Sequence, residues 1–323
     1  MSGLVFIVGA PRSGTTLLRA MVNRHPRFGL CDETFFDYWV AQRERAFGDL
    51  TDRARRAVAV DRYLATHRIQ RLGLDVAALR ETLLREGTSY SELFRALLQF
   101  AAQAQGKPRG GEKTPQHALI AAKLLAWYPD ARLVHLVRDP RDVAASLKRM
   151  PWGGGHRLLD ARLWRACVDG AEACRADPRF LRVRYESLIE APQPELERLC
   201  AFLGEPFVPA MLEGAAKKTD RWWFDRAQGA VEKSRIERWR QELTATEIAQ
   251  VEWVAGEALD RFGYAAAAPP LSAAGRAAAR VGAALAGGRR QLRQLRASWI
   301  HRFTPTELAR EEAAIDGPTD PAE

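Results

Sequence analysis

Gly9-Ala10-Pro11-Arg12-Ser13-Gly14-Thr15-Thr16 has the spacing of a phosphate loop, G-x-x-x-x-G-K-[ST]. It follows an apolar run of strand length, residues 4–8, and leads into a helical pattern over residues 15–24. Backbone N–H groups in such a loop, with the N-terminus of the helix it opens, form a cradle for an anion. One departure narrows the chemistry. Thr15 stands where nucleoside triphosphatases carry a lysine, and Arg12 places a guanidinium fork inside the loop instead. Without that lysine, handling of a γ-phosphate with Mg²⁺ lacks its usual point charge.

A second basic element sits at Arg138-Asp139-Pro140-Arg141-Asp142, at the end of the apolar run 132–137. Ligands of open α/β sheets collect at the carboxyl ends of strands, which is where Arg138 falls. Ser146 lies two turns into the helix that follows. It shares a crevice with Arg138 only if the chain folds back sharply at Asp139-Pro140. Further candidates are Glu33 after the first helix, Lys113 ahead of Pro115, Tyr185 after the short strand 180–184, and Lys233-Ser234-Arg235. Cys31, Cys167, Cys174 and Cys200 show no metal-ligand spacing and read as core residues.

Taken together, these motifs resemble the sulfotransferases that use 3′-phosphoadenylyl sulfate, and among them bacterial members similar to the protein-tyrosine and Golgi-type enzymes. The resemblance runs from about Leu4 to Tyr264. It implies that Pro11, Arg12, Ser13, Gly14, Thr15 and Thr16 bind the 5′-phosphosulfate and that Arg138 and Ser146 bind the 3′-phosphate. Tyr185 would lie near the nucleotide, and Lys233, Ser234 and Arg235 would belong to a loop closing over its phosphates. Lys113 resembles the family lysine that meets the transferring group. Glu33 resembles the glutamate that accepts the acceptor's proton in the protein-tyrosine group. The cytosolic small-molecule enzymes use a histidine instead, so His25, His117, His135 and His156 are rivals, with His117 the nearest. The implied donor is 3′-phosphoadenylyl sulfate, the product adenosine 3′,5′-bisphosphate, and no metal is required. The acceptor would be a small molecule, glycan, lipid or peptide. Two alternatives stand beside this reading: an atypical phosphotransferase using ATP and Mg²⁺, which gives Arg138 and Ser146 no special task, and a non-catalytic nucleotide-binding adaptor.

The elements that must hold these residues alternate between strand and helix. Apolar strands covered on both faces argue an α/β fold of the P-loop type, three layers with a central, mainly parallel sheet. Helices are expected over residues 115–127, 140–149, 158–175, 194–203 and 244–261. The last has Thr244 and Glu247 as a capping box. Residues 1–264 form the main domain. Within it, residues 35–105 are a helical insertion expected to wall the acceptor site together with Arg221-Trp222-Trp223-Phe224. Residues 265–323 form an Ala/Arg-rich extension with an acidic end.

The chain has 323 residues, 47% of them hydrophobic and 9% aromatic, which excludes a disordered polypeptide. A net charge of +9 suggests anionic partners. Zinc-finger spacing, an RNP-like strand and a recognition helix are missing, so nucleic acid is not among those expected. Nowhere does an apolar stretch approach the roughly 20 residues of a spanning helix, and the expected setting is the reducing cytoplasm. Residues 276–302 hold seven arginines and no acid, interleaved with Val281, Leu285, Leu292, Leu295 and Trp299. Such a segment fits an anionic membrane surface, self-association, or plain packing on the body. Gly282, Gly287 and Gly288 argue against an unbroken helix there.

Overall fold

A computed structural model describes residues 3–36, 48–150, 152–213 and 233–300. Arg221-Trp222-Trp223-Phe224 and part of the insertion, residues 37–47, lie outside them.

Five strands make one sheet: β1 (Val5–Gly9), β2 (Phe28–Cys31), β3 (Arg109–Lys113), β4 (Arg132–Val137) and β5 (Phe180–Arg184). Their order is β2-β3-β1-β4-β5, and each neighbouring pair is parallel. Alternation along β1 explains the layering. Leu4, Phe6 and Val8 enter one core, while Val5 and Ile7 enter another on the opposite face. The first core is covered by α5 (Tyr90–Gln103), α6 (Ala121–Trp127) and α8 (Arg157–Glu172), through Phe94, Leu124 and Trp164. The second is covered by α1 (Thr15–Asn23), α9 (Tyr185–Glu190) and α10 (Pro192–Leu203), through Leu18, Leu188 and Leu199. This is the three-layer arrangement expected.

Two strands were not foreseen. β3 reads Arg-Gly-Gly-Glu-Lys and has no apolar residue, yet all five positions are buried. It is admitted to the centre because α5 crosses it closely. A Cβ on Gly110 would lie 2.6 Å from the Leu98 carbonyl oxygen, so only glycine permits the approach. β2 pairs with β3 in the register Cys31↔Glu112, which sets the loop after β2 beside the end of β3.

The insertion contributes α2 (Arg53–Leu64), α3 (His67–Gln70), α4 (Val76–Glu86) and α5. Asp52 and Asp75 cap α2 and α4, and Ser89 with Glu92 makes a capping box on α5. The expected helix 115–127 is a 3-10 turn, Pro115–Ile120, running into α6. After α7 (Pro140–Lys148) and α10, the remaining α-helices among the described residues are α11 (Trp239–Glu242), α12 (Ala245–Ala255), α13 (Ala258–Arg261) and α14 (Ala273–Ile300). Thr244 and Glu247 do box the start of α12, but the helix expected to reach residue 261 breaks at Gly256. The tail departs the other way: α14 is continuous through its glycines. Ala279 and Ala283 pack on Leu158, and that packing offsets the propensity cost of roughly 1 kcal/mol per glycine.

Candidate active site

Every strand delivers part of the site from its carboxyl end, on both sides of β1, where the strand order reverses. After β1 the chain turns through Arg12 (φ 72°) and Gly14 (φ 98°), both left-handed. Ser13 closes the turn through its backbone N–H, 3.1 Å from the Ala10 carbonyl, and its hydroxyl donates to the same oxygen. Pro11, Ser13, Thr15 and Thr16 are buried as the loop passes into α1. Glycine at position 14 has a second reason. A Cβ there would lie 2.4 Å from the Tyr185 ring, so the tyrosine that follows β5 packs directly on the loop.

Arg138 follows β4 and lies over the same ring, its guanidinium carbon 4.3 Å from the centroid. It donates to the backbone carbonyls of Arg12 (3.2 Å) and Arg235 (2.6 Å). The sharp turn required for Ser146 is present. Asp139 caps α7 by accepting the Arg141 N–H at 2.8 Å, Pro140 takes the first turn, and Arg12 Nε reaches Ser146 Oγ at 3.0 Å. Arg12, Arg138, Ser146, Tyr185 and Arg235 therefore meet. Lys233 and Ser234 share the 3-10 turn with Arg235, and Ser234 is exposed.

Positive charge is concentrated here. Burial, then Arg138 and Arg149, push the Arg12 guanidinium down to about 10, with Glu33 opposing them. It remains cationic at neutral pH. Arg138 Nε is buried without a hydrogen-bond partner, so the pocket has an unused donor. Converging cations and an orphaned donor fit an anionic ligand.

Beside this pocket lies a cluster of opposite character. Lys113, at the end of β3, is wholly buried, and its ammonium contacts Asp32 Oδ1 at 2.7 Å and Glu33 Oε1 at 2.6 Å. Arg68, on α3, faces Glu33 Oε2 at 3.4 Å, and Arg19 faces Asp32 at 3.5 Å. Burial raises the Asp32 carboxyl, but Arg19 and Lys113 outweigh it and hold the group well below the usual carboxylate range. Asp32, Glu33, Arg68, Arg71 and Leu72 line an open cleft, so the helical insertion borders Glu33.

A sulfotransferase family model matches residues 5–209, and a sulfotransferase domain model matches residues 162–263. The chain belongs to the sulfotransferase family. Among its relatives are nodulation protein NoeE of Sinorhizobium fredii, 28% identical over 81% of this chain and 66% of that protein, and protein-tyrosine sulfotransferase 1 of Danio rerio, 27% identical over 65% and 55%. Omega-hydroxy-beta-dihydromenaquinone-9 sulfotransferase Stf3 of Mycobacterium tuberculosis is 29% identical over 53% of this chain and 45% of its own. The matched region thus spans less than two thirds of these relatives. The fold is also that of the sulfotransferase domain from the curacin biosynthetic pathway (TM-score 0.55, 20% identity, covering 83% of this chain and 99% of that one). A sulfotransferase domain from the Synechococcus PCC 7002 olefin synthase gives a TM-score of 0.55 at 24% identity, over 78% of this chain and 94% of its own.

The histidines weighed as rivals to Glu33 have contacts of their own. His117 Nδ1 is 2.5 Å from Glu112 Oε1, and its ring stands edge-on to Phe94. Glu112 also accepts from the Thr34 hydroxyl at 2.6 Å. His25 bonds the Pro206 carbonyl, His135 pairs with buried Glu172 inside β4, and His156 caps α8. Arg141, from the same motif as Arg138, is buried. It pairs with Asp139 and Glu252, both at 2.7 Å, under the Trp239 ring.

Three residues were missed from sequence: Asp32 as a partner of Lys113, Arg68 behind Glu33, and Asp142. Asp142 accepts the backbone N–H groups of Glu237 and Trp239, each at 3.0 Å, and faces Arg138 at 3.7 Å. It thereby fixes the turn carrying Arg235 to the helix carrying Ser146. Its one sequence signal was position, four residues beyond Arg138 at the opening of α7.

Proposed function

We propose that the protein transfers a sulfuryl group from 3′-phosphoadenylyl sulfate to an acceptor hydroxyl or amine, releasing adenosine 3′,5′-bisphosphate, with no metal ion required. The observation that carries this reading is the meeting of Arg12, Arg138 and Ser146 around Tyr185, next to the Lys113–Glu33 pair. Two anion-binding elements, one after β1 and one after β4, suit a donor with phosphates at both its 5′ and 3′ positions.

The donor supplies the activated sulfonate; the chain supplies position and charge. The loop from Pro11 to Thr16 holds the 5′ end through the N-terminus of α1 and the backbone N–H groups of its residues other than Pro11, which has none, and Ser13, whose N–H bonds the Ala10 carbonyl. Arg12 balances the charge that grows on the leaving oxygen. Arg138 and Ser146 bind the 3′-phosphate, Tyr185 supports the nucleotide, and Lys233, Ser234 and Arg235 close over it. Lys113 is shielded by its two carboxylate partners, so it meets the transferring group from the acceptor side only once the bound donor displaces one of them. Glu33 takes the acceptor's proton late, as the new bond to sulfur makes that proton acidic. Arg68 and Lys113 keep the carboxylate aimed. Four buried free thiols suit a reducing cytoplasm.

The test is transfer of labelled sulfate from the donor to panels of phenols, glycans, lipid alcohols and peptides in the presence of a chelator. Labelled product with at least one panel is expected. Turnover that instead requires ATP and Mg²⁺ would contradict the reading.

A further inference from the structure

Over residues 273–288, where its side chains are described, helix α14 (Ala273–Ile300) packs on the body through one side. Ala279 and Ala283 are buried against Leu158, while Arg280 lies over the Trp253 ring at the edge of that contact. Each residue advances the helix by about 100°, which brings Ala274, Ala277, Val281, Ala284, Leu285 and Gly288 to the opposite side. All six are exposed, Val281 and Leu285 each at 60%. A surface helix ordinarily turns its apolar stripe inward. This one buries alanines and presents its larger aliphatic side chains outward. In the sequence, the same step carries Leu292, Leu295 and Trp299 onto the continuation of that stripe, Arg296 to its edge, and Arg289, Arg290 and Arg293 off it.

We infer that α14 lies on an anionic membrane surface, its apolar stripe at the boundary between headgroups and acyl chains and the arginines that flank the stripe, Arg289, Arg293 and Arg296, among the headgroups. Charge selects this occupant. Residues 276–302 contain seven arginines and no acid, so a second copy of the helix would bring like charge against like charge. An anionic leaflet matches both features: it accepts the stripe and attracts its basic flanks. Arginine stems can lie along apolar surface while their guanidinium groups reach the phosphates. The mode is lying on the membrane, because no helix among the described residues is long and apolar enough to cross it. The inference is independent of the sulfuryl-transfer reading.

Co-sedimentation of the full chain with phosphatidylcholine vesicles, with and without about a quarter phosphatidylglycerol, tests it. Binding to the anionic vesicles should be at least about tenfold stronger than to the neutral ones and should fall as salt is raised. The double variant Val281→Asp, Leu285→Asp should lose about tenfold or more of that binding while keeping its affinity for adenosine 3′,5′-bisphosphate. Equal vesicle binding by the double variant would overturn the inference. So would a concentration-dependent dimer in solution abolished by the same two substitutions, since the stripe would then belong to a second copy. Vesicle binding that appears only after removal of residues 303–323 would also overturn it, because the chain's own acidic end would then be the occupant.

Discussion

Lys113 holds two carboxylates at once while wholly shielded from water, so its charge and theirs stand or fall together. Lys113→Met should therefore destabilise the fold, by about 3–5 kcal/mol if Asp32 and Glu33 stay ionised, and denaturant unfolding would measure it. Glu33 is solvent-accessible at the cleft, and Glu33→Gln keeps its shape. That variant should lower turnover by about 10²-fold or more with nucleotide affinity nearly unchanged. Unchanged turnover would remove Glu33 from the mechanism. Asp142 provides a pH signature. Burial raises its carboxyl from 3.8 to about 6, despite Arg138 and the two N–H groups it accepts. A raised acid means that folding takes up a proton between those values, so this group's contribution to stability declines as pH rises from about 4 to 6 and is level above. The stability of the wild type relative to Asp142→Asn should fall across that window, by up to about 3 kcal/mol. A difference that grows with pH would refute the assignment. Arg12, Arg138 and Ser146 could be read from spacing because each lies within a local motif. The Lys113–Asp32–Glu33 triangle could not, because it depends on which strand β2 pairs with.

At the level of elements, the site depends on strand β3, whose sequence carries no strand signal. Continuous apolar runs located β1 and β4, which fill both cores, but no such run marks Arg-Gly-Gly-Glu-Lys, whose burial follows from tertiary contact. Gly110→Ala should push α5 away from the sheet and destabilise the protein by about 1–3 kcal/mol. Thermal unfolding would register the loss, and wild-type stability would argue that the helix shifts freely. The same contrast separates α12 from α14. The Thr244–Glu247 capping box is local and was recognised, whereas the continuity of α14 rests on alanines packing against Leu158. In the phosphate loop, Gly14→Ala meets both a left-handed backbone and the Tyr185 ring. Its nucleotide affinity should drop by about tenfold or more, measurable by calorimetry.

At the scale of the whole molecule, a chain of net charge +9 gathers arginines at two places. One share converges on the pocket between β1 and β4, and the other lies along α14 with no acid among its arginines. Nucleotide affinity should consequently weaken with salt in a manner unaffected by Val281→Asp and Leu285→Asp, since pocket and tail sit on separate elements. The central claim is that the two anion-binding elements read a donor phosphorylated at both ends. Calorimetry without Mg²⁺ tests it most directly, comparing adenosine 3′,5′-bisphosphate with adenosine 5′-monophosphate on the wild type and on Arg138→Ala. The bisphosphate should bind about 10²-fold more tightly to the wild type, and the variant should lose most of that preference. Equal affinity for the two nucleotides, or a preference for ATP with Mg²⁺, would contradict the account.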